Sequence, residues 1–161
     1  IHESTATFIR RGYPLSVFTD SVNRLHERSL SIIVHVILGL PYETMSDSLE
    51  TVRFLSVLPI QGIKLQLLHI LKGTDLATQM NDFHILTLEE YIDLIIQCIE
   101  ILPPHIVIHR LTGDGPKNLL LAPMWSANKK LVLNSIHKEM KLRDSWQGKA
   151  LHAYNDTIDK T

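Results

Sequence analysis

The chain has a single cysteine, Cys98, among its 161 residues. That excludes an internal disulfide and any metal cluster built from several thiolates of this chain. Long apolar runs are missing as well. None approaches the roughly 18 residues of a membrane-crossing helix, and no secretory leader is visible, so a cytoplasmic protein is the expectation. The formal net charge is only -1, which gives no global electrostatic case for nucleic acid. There is no P-loop, no G-x-S-x-G, no H-E-x-x-H and no G-x-G-x-x-G, so the common phosphate-cradle, hydrolase, zincin and dinucleotide signatures are out. No internal repeat or low-complexity tract occurs. Methionine is missing at the start; the first residue is Ile1, and the expectation is a fragment of a longer chain.

What is present is ordinary globular composition, 45% hydrophobic and 20% charged, at a length that suits one domain with a substantial core. Charge is uneven: residues 1–100 hold 7 Lys/Arg against 12 Asp/Glu, and residues 101–161 hold 9 against 5. The stretch around which the rest is organised is Ser31 to Thr44, SIIVHVILGLPYET. Ile32, Ile33, Val34, Val36 and Ile37 form a short apolar run closed by Gly39 and Pro41. That pattern predicts a parallel-sheet strand buried on both faces, and such strands carry chemistry just past their C-terminal ends. There Gly39 lets backbone approach a ligand, and Pro41 fixes the turn.

Along the rest of the chain, residues 1–14 read as irregular or weakly helical, with Arg10, Arg11 and Gly12 as a solvated turn. A helix opens at Pro14 and Ser16 and runs to Arg28, with Phe18, Val22 and Leu25 on one stripe. Asp47 and Glu50 suggest a capping pair for a helix that stops at Pro59. A second strand runs from Ile63 to Ile70, with Lys64 and Gln66 alternating against apolar neighbours. Inward polar residues on a barrel strand face a site; on an edge strand Lys64 simply meets solvent. Thr74 is a cap candidate in the following turn. Thr87 and Glu90 form a capping box for a helix to Leu102, which carries Cys98 as a small core residue. A third strand, His105 to Arg110, enters a dense turn, Leu111 to Pro116. Ser126 caps a last helix to Arg143, with Val132, Leu133, Ile136 and Met140 on one face. Lys129, Lys130, Lys138 and Lys141 line its other side with no aromatic among them, the pattern of a solvated face. Residues 144–161 read as a loosely packed polar tail. The alternation of helices with strands near 31–38, 63–70 and 105–110 predicts an α/β fold with right-handed crossovers. Three strands do not close a barrel.

Four ordered segments carry a resemblance: IHESTATFIRRGYP, VHVILGLPYET, GIKLQLLHILKGTDLA and IVIHRLTGDGPKNLLLAPMWSANKKLVLN. Together they resemble the C-terminal portion of radical SAM proteins of the YhcC family, relatives of the elongator catalytic subunit and of oxygen-independent coproporphyrinogen oxidase. The resemblance implies the C-terminal half of a partial (βα)6 barrel. Residues 1–122 would belong to the barrel half, and residues 123–161 would supply a C-terminal helix and a polar tail packed on it. It implies S-adenosylmethionine and a 4Fe-4S cluster as cofactors of the parent protein. The cluster ligands sit in a C-x-x-x-C-x-x-C-type loop that these residues do not contain, so no tightly bound cofactor is expected here. Arg11 aligns with an arginine that binds the methionyl carboxylate. His35 takes the place of a ribose-binding acid. Gly39, Leu40, Pro41 and Glu43 belong to the motif lying against adenine, with Tyr42 where a second glycine is common. His69 and Leu71 would close the pocket.

The fold also allows a non-catalytic interaction module, binding RNA or protein, that kept half a barrel and lost the cofactor. Kinship with the elongator subunit implies tRNA as a candidate partner; the basic C-terminal segment alone speaks for it. The missing N-terminal half of the barrel is the other implied partner. The strand Ile32–Leu38 would then have an apolar, unpaired edge, which points to a homodimer through that edge. With one cysteine against the three thiolates of the implied motif, the isolated chain is expected to hold no iron–sulfur cluster. Anaerobic reconstitution with absorbance and iron analysis checks this, and a stoichiometric cluster would overturn it.

Overall fold

The computed structural model describes residues 1–113 and 115–151. Alternating helices and strands do form the predicted α/β arrangement. Helices α1 (Glu3–Phe8) and α2 (Leu15–Glu27) precede strand β1 (Ile33–Leu38). Helix α3 (Met45–Ser56) leads to β2 (Gly62–Leu67), and α5 (Leu88–Ile101) leads to β4 (Val107–Arg110). These strands make one three-stranded sheet in the order β1-β2-β4. Both pairings are parallel, with Val34 opposite Ile63 and Gly62 opposite Val107. A second, two-stranded sheet pairs β3 (Ile70–Leu71) antiparallel with β5 (Leu120–Ala122). The single strand expected over 63–70 therefore breaks after Leu67, and Ile70 and Leu71 turn to a different partner. Between the two strands the chain runs through Leu68 and His69; beyond β3 lies the short helix α4 (Asp75–Thr78).

Strand alternation decides which side becomes core. Val34, Val36 and Leu38 of β1 and Ile63, Leu65 and Leu67 of β2 are buried in a cluster with Leu49, Val52 and Leu55 of α3. Tyr91, Leu94, Ile95, Cys98 and Ile99 of α5 join the same cluster. The opposite side of β1 is not covered. Ile33 and Ile37 are each 43% exposed, and His35 between them is exposed. Burial on both faces, expected from the apolar run, is thus corrected to burial on one.

Local chemistry sets the element boundaries. Helix α3 is capped by Thr44, whose hydroxyl accepts from the Asp47 N–H at 3.2 Å while Asp47 accepts from the Thr44 N–H at 2.7 Å. The pair is thus Thr44 with Asp47, one turn earlier than the Asp47–Glu50 reading. The Thr87–Glu90 box on α5 forms as its spacing predicts, with bonds of 2.8 and 3.2 Å. Thr74 precedes α4, but its hydroxyl donates back to the Leu71 carbonyl and caps nothing. Ser126 lies inside a short 3-10 helix, Met124–Ala127, and its hydroxyl donates to the Pro123 carbonyl. The last helix, α6 (Lys129–Leu142), is capped instead by the Asn128 side chain at 3.1 Å. Asn accepts this bond as well as Ser does.

Helix α6 delivers Val132 and Ile136 to the same core as the sheet. The segment after it is better anchored than its polar sequence suggests. The Gln147 amide donates to the carbonyls of Pro103 and Ile106 at 2.8 and 2.7 Å. The Gly148 N–H reaches the Ile99 carbonyl. Gly148 has φ +85°, and an added Cβ there would press on Pro104 at 3.1 Å. The part of the expected tail from 152 to 161 lies outside the described residues, as does Asp114 of the turn after β4. No helix among the described residues is long and apolar enough to cross a membrane.

Leu65 is fully buried at the centre of the sheet. Leu65→Ala is expected to cost about 2–5 kcal/mol, and Thr87→Ala about 1 kcal/mol through the lost cap, both read by denaturant unfolding. Among the described residues β1 has a neighbour on one side only, which is the edge expected to recruit a second copy. Light scattering after size exclusion should give a dimer or larger species. A clean monomer at high concentration would show that the edge is tolerated in water.

Candidate functional site

Past the C-terminal end of β1 the chain turns sharply. Gly39 has φ +76° and Tyr42 has φ +64°. For Gly39 that conformation is free of a Cβ penalty. A Cβ there would also lie 2.9 Å from Leu86 Cδ1, so a larger residue would have to displace the end of that side chain. Tyr42 adopts the left-handed conformation with a full side chain, at a cost that a second glycine would not carry. The turn still closes, with the Glu43 N–H donating to the Leu40 carbonyl at 3.2 Å. The Tyr42 ring makes edge contacts with Phe8 and Phe83, at centroid distances of 5.2 and 6.3 Å. These contacts offset part of the strain.

A cavity of about 510 Å³ opens along the outer edge of β1, between that strand and α1, α2 and α3. Backbone and side chains from Ile32 to Leu38 form one wall; Ala6, Phe18, Val22 and Leu25 face them. Arg11, His35, Leu40 and Glu43 all border it. Four of the eight residues singled out by the sequence are therefore brought to one space. Gly39 and Pro41 belong to the same turn but do not line that cavity, and Pro41 is buried. His69 and Leu71 lie at the far side of the β2 end. There the His69 ring fills the room left by Gly113 and Gly115, and Leu71 pairs with Leu120.

The electrostatics of the cavity are already partly satisfied. Arg11 donates through Nε to the Tyr13 carbonyl at 2.8 Å and through Nη2 to both Glu3 oxygens at 3.2 Å. Its guanidinium also stands over the Tyr13 ring at 5.2 Å. Glu43 is half-buried, and burial raises its carboxyl above the usual range. His2, the Ile1 ammonium and a hydrogen bond with Thr5 pull the other way without prevailing. Asp47 shows the opposite behaviour, held low by its bonds to Thr44.

One cluster escaped the sequence reading. His2, Asp47 and Glu50 offer ligand atoms within 4.8 Å of one another. Two features argue against a cation there. Asp47 Oδ2 is committed to the Thr44 N–H and hydroxyl, both at 2.7 Å, and the group sits at the N-terminus of α3, whose dipole opposes positive charge. No spacing in sequence could have found it, because His2 is 45 residues from Asp47. Cys98 is no ligand either: it is fully buried, and burial pushes its thiol up to about 12, so it stays protonated and out of reach.

With this geometry in hand, the affiliation follows. Residues 60–142, just over half of the chain, match the family described as Radical_SAM C-terminal domain, and the chain belongs to that family. It is 40% identical to YtqA of Bacillus subtilis over 151 residues, which cover 92% of this chain and 47% of that protein. It is 30% identical to MJ0486 of Methanocaldococcus jannaschii over 151 residues, again 92% of this chain and 47% of that protein. YhcC of Escherichia coli K12 is 30% identical over 130 residues, 80% of this chain and 42% of that protein. The chain thus spans about half the length of the curated relatives it matches. Its fold matches the archaeal Methanocaldococcus infernus Elp3 with an N-terminal deletion at a TM-score of 0.79. That match has 18% identity and covers 91% of this chain and 35% of that one. The open sheet is accordingly the C-terminal part of a partial radical SAM barrel.

Glu43 provides a pH test. Its folded-state carboxyl lies above the unfolded value, so folding takes up a proton in that window, and stability falls as pH rises through it. Glu43→Gln is expected to flatten this slope and raise the melting temperature at neutral pH, measured by thermal unfolding from about pH 4 to 8. A variant with an unchanged profile would place the carboxyl in a less desolvated setting.

Proposed function

We propose that the chain supplies part of the S-adenosylmethionine-binding surface of a radical SAM iron–sulfur enzyme and has no radical activity by itself. The observation that carries this reading is the convergence of Arg11, His35, Leu40 and Glu43 on one cavity beside the β1 end. Their chemistry suits the parts of that cofactor: a guanidinium for its carboxylate, an imidazole for a ribose hydroxyl, and an apolar turn for adenine. When bound beside a cluster, the cofactor is the source of a 5′-deoxyadenosyl radical, and these residues bind and orient it.

The cluster itself does not fit the residues present. Its thiolates would have to come from outside these 161 residues, since Cys98 is buried and protonated. Two consequences follow for affinity. A cluster would add an anchor for the cofactor, and the residues present cannot hold one. Arg11 is also already held by Glu3, so an incoming carboxylate competes with an existing partner. Binding to the isolated chain is therefore expected to be weak, at a dissociation constant of about 1 mM or above, roughly 4 kcal/mol or less.

The test is a titration with S-adenosylmethionine followed by amide chemical shifts. The expected result is a weak, saturable response concentrated at Arg11 and residues 35–43, abolished by Arg11→Ala. A response scattered elsewhere, or unaltered in Arg11→Ala, would sink the reading. Calorimetry showing micromolar affinity would show instead that the half-site is preorganised without the cluster.

A further inference from the structure

In the cavity beside β1, the guanidinium of Arg11 already holds a carboxylate of this chain. Three contacts fix its orientation. Nε donates to the Tyr13 carbonyl at 2.8 Å, Nη2 donates to both oxygens of Glu3, and the guanidinium carbon stands over the Tyr13 ring. The Arg11 side chain is 19% exposed, against 55% for Glu3. The guanidinium is therefore the enclosed partner and the carboxylate the accessible one.

The two holds on Glu3 are unequal. Its Oε1 accepts from the Leu15 N–H at 2.6 Å, whereas both bonds from Arg11 are 3.2 Å long and come from one nitrogen. Charge-assisted N–H···O bonds are about 2.7–2.9 Å long, and a carboxylate matched to a guanidinium engages it through two parallel bonds. Leu15 is the first residue of α2, and Pro14 before it provides no side-chain cap, so Glu3 satisfies a helix-end donor that needs an acceptor. Glu3 is thus anchored on Leu15 and leans on Arg11. Nη1, with its two N–H groups, has no bond among the described residues.

This arrangement serves the chain before any ligand arrives. Arg11 borders a cavity otherwise lined by Ile9, Leu15 and Phe18, and an enclosed guanidinium without a counter-charge costs stability. An external carboxylate set across Nη1 and Nη2 makes the fork of bonds that Glu3 does not make. It requires only the longer Glu3–Arg11 contact to open. The short bond to Leu15 and the contacts of Arg11 with Tyr13 stay in place.

We infer that Glu3 regulates this subsite: it is an internal carboxylate that holds Arg11 until the carboxylate of a ligand takes its place, and it thereby sets the affinity for carboxylate-bearing ligands. The inference rests on the reading of Arg11 as the carboxylate-binding group. A site whose binding-competent form is a fraction of the population binds in proportion to that fraction. Removing the charge of Glu3 therefore tightens carboxylate binding while it takes a stabilising contact from the unliganded chain. A residue with a structural role alone would weaken both.

The experiment uses the 161-residue chain, with the Arg11 Nε–Hε signal and the Glu3 carboxyl carbon followed by NMR at constant pH and ionic strength. Propionate is the probe, a carboxylate without the rest of the cofactor, and propionamide is its neutral control. In the parent chain both signals should shift with one midpoint under propionate and show no saturation under propionamide. Glu3→Gln, which keeps an oxygen for the Leu15 N–H, should lower the propionate midpoint about fivefold or more. It should also lower the melting temperature, and propionate should restore it. An Arg11 response without a Glu3 response, no saturable response of Arg11 in either chain, or an unchanged or higher midpoint in Glu3→Gln would overturn the inference. If Glu3→Gln does not fold, the paired signals of the parent chain decide alone. S-adenosylmethionine is titrated separately. Silence there beside a positive propionate result removes the cofactor reading and supports the exchange at Arg11; a saturable response there with the propionate result negative removes the exchange alone.

Discussion

The parallel pairing of β2 with a strand on each side is the constraint from which the rest of the structure follows. Once Gly62–Leu67 is hydrogen-bonded to β1 and to β4, alternation leaves no choice about sides. Ile63, Leu65 and Leu67 must face the helices, and Lys64 and Gln66 must face away. The helices follow the same logic. Helix α5 is apolar over most of its circumference because it lies between the sheet and α6, and it buries Tyr91, Leu94, Ile95, Ile96 and Cys98. Tyr91 is buried at no polar cost, since its hydroxyl donates to the Leu111 carbonyl at 2.9 Å.

The same pairing also decides which surfaces stay open. A sheet covered by helices on one side only has an exposed face and, at β1, an exposed edge. The edge borders the cavity with Arg11 and Glu43. Around that cavity and turn the chain accepts unfavourable terms: a half-buried carboxylate whose ionisation opposes folding and a tyrosine at positive φ. In a domain stabilised by a small difference between large terms, each such concession takes up an appreciable share of the stability.

The C-terminal segment shows how far local polarity misleads. Residues 144–151 are polar in sequence, yet Gln147 satisfies two carbonyls just after α5 and Gly148 fits against Pro104. Trp125 is drawn in by similar means, its indole N–H donating to the Leu86 carbonyl and its ring 5.5 Å from Tyr91. These are long-range bonds between segments with no periodic pattern, and nothing in a linear reading marks them.

Much of the fold could be read from residues alone, because periodicity and capping are local properties. The alternation of Ile63 to Leu67, the box at Thr87 and Glu90, and the break at Gly39 and Pro41 each define an element within a few residues. The family motif around GLPYET was legible for the same reason, and with it Arg11, His35, Leu40 and Glu43 as candidates. Which of two neighbouring donors caps a helix was not legible: Thr44 displaced Asp47, and Asn128 displaced Ser126, since backbone entry angle decides between chemically equivalent groups. Nor could the sequence say that Ile33 and Ile37 stay exposed, that His69 packs against Gly113 and Gly115 away from the cavity, or that Lys64 faces Arg110. Those outcomes depend on register and on which neighbours are present. Register between distant strands is settled by the summed burial of every side chain on the shared face, a property of the assembled sheet and of no single stretch of chain.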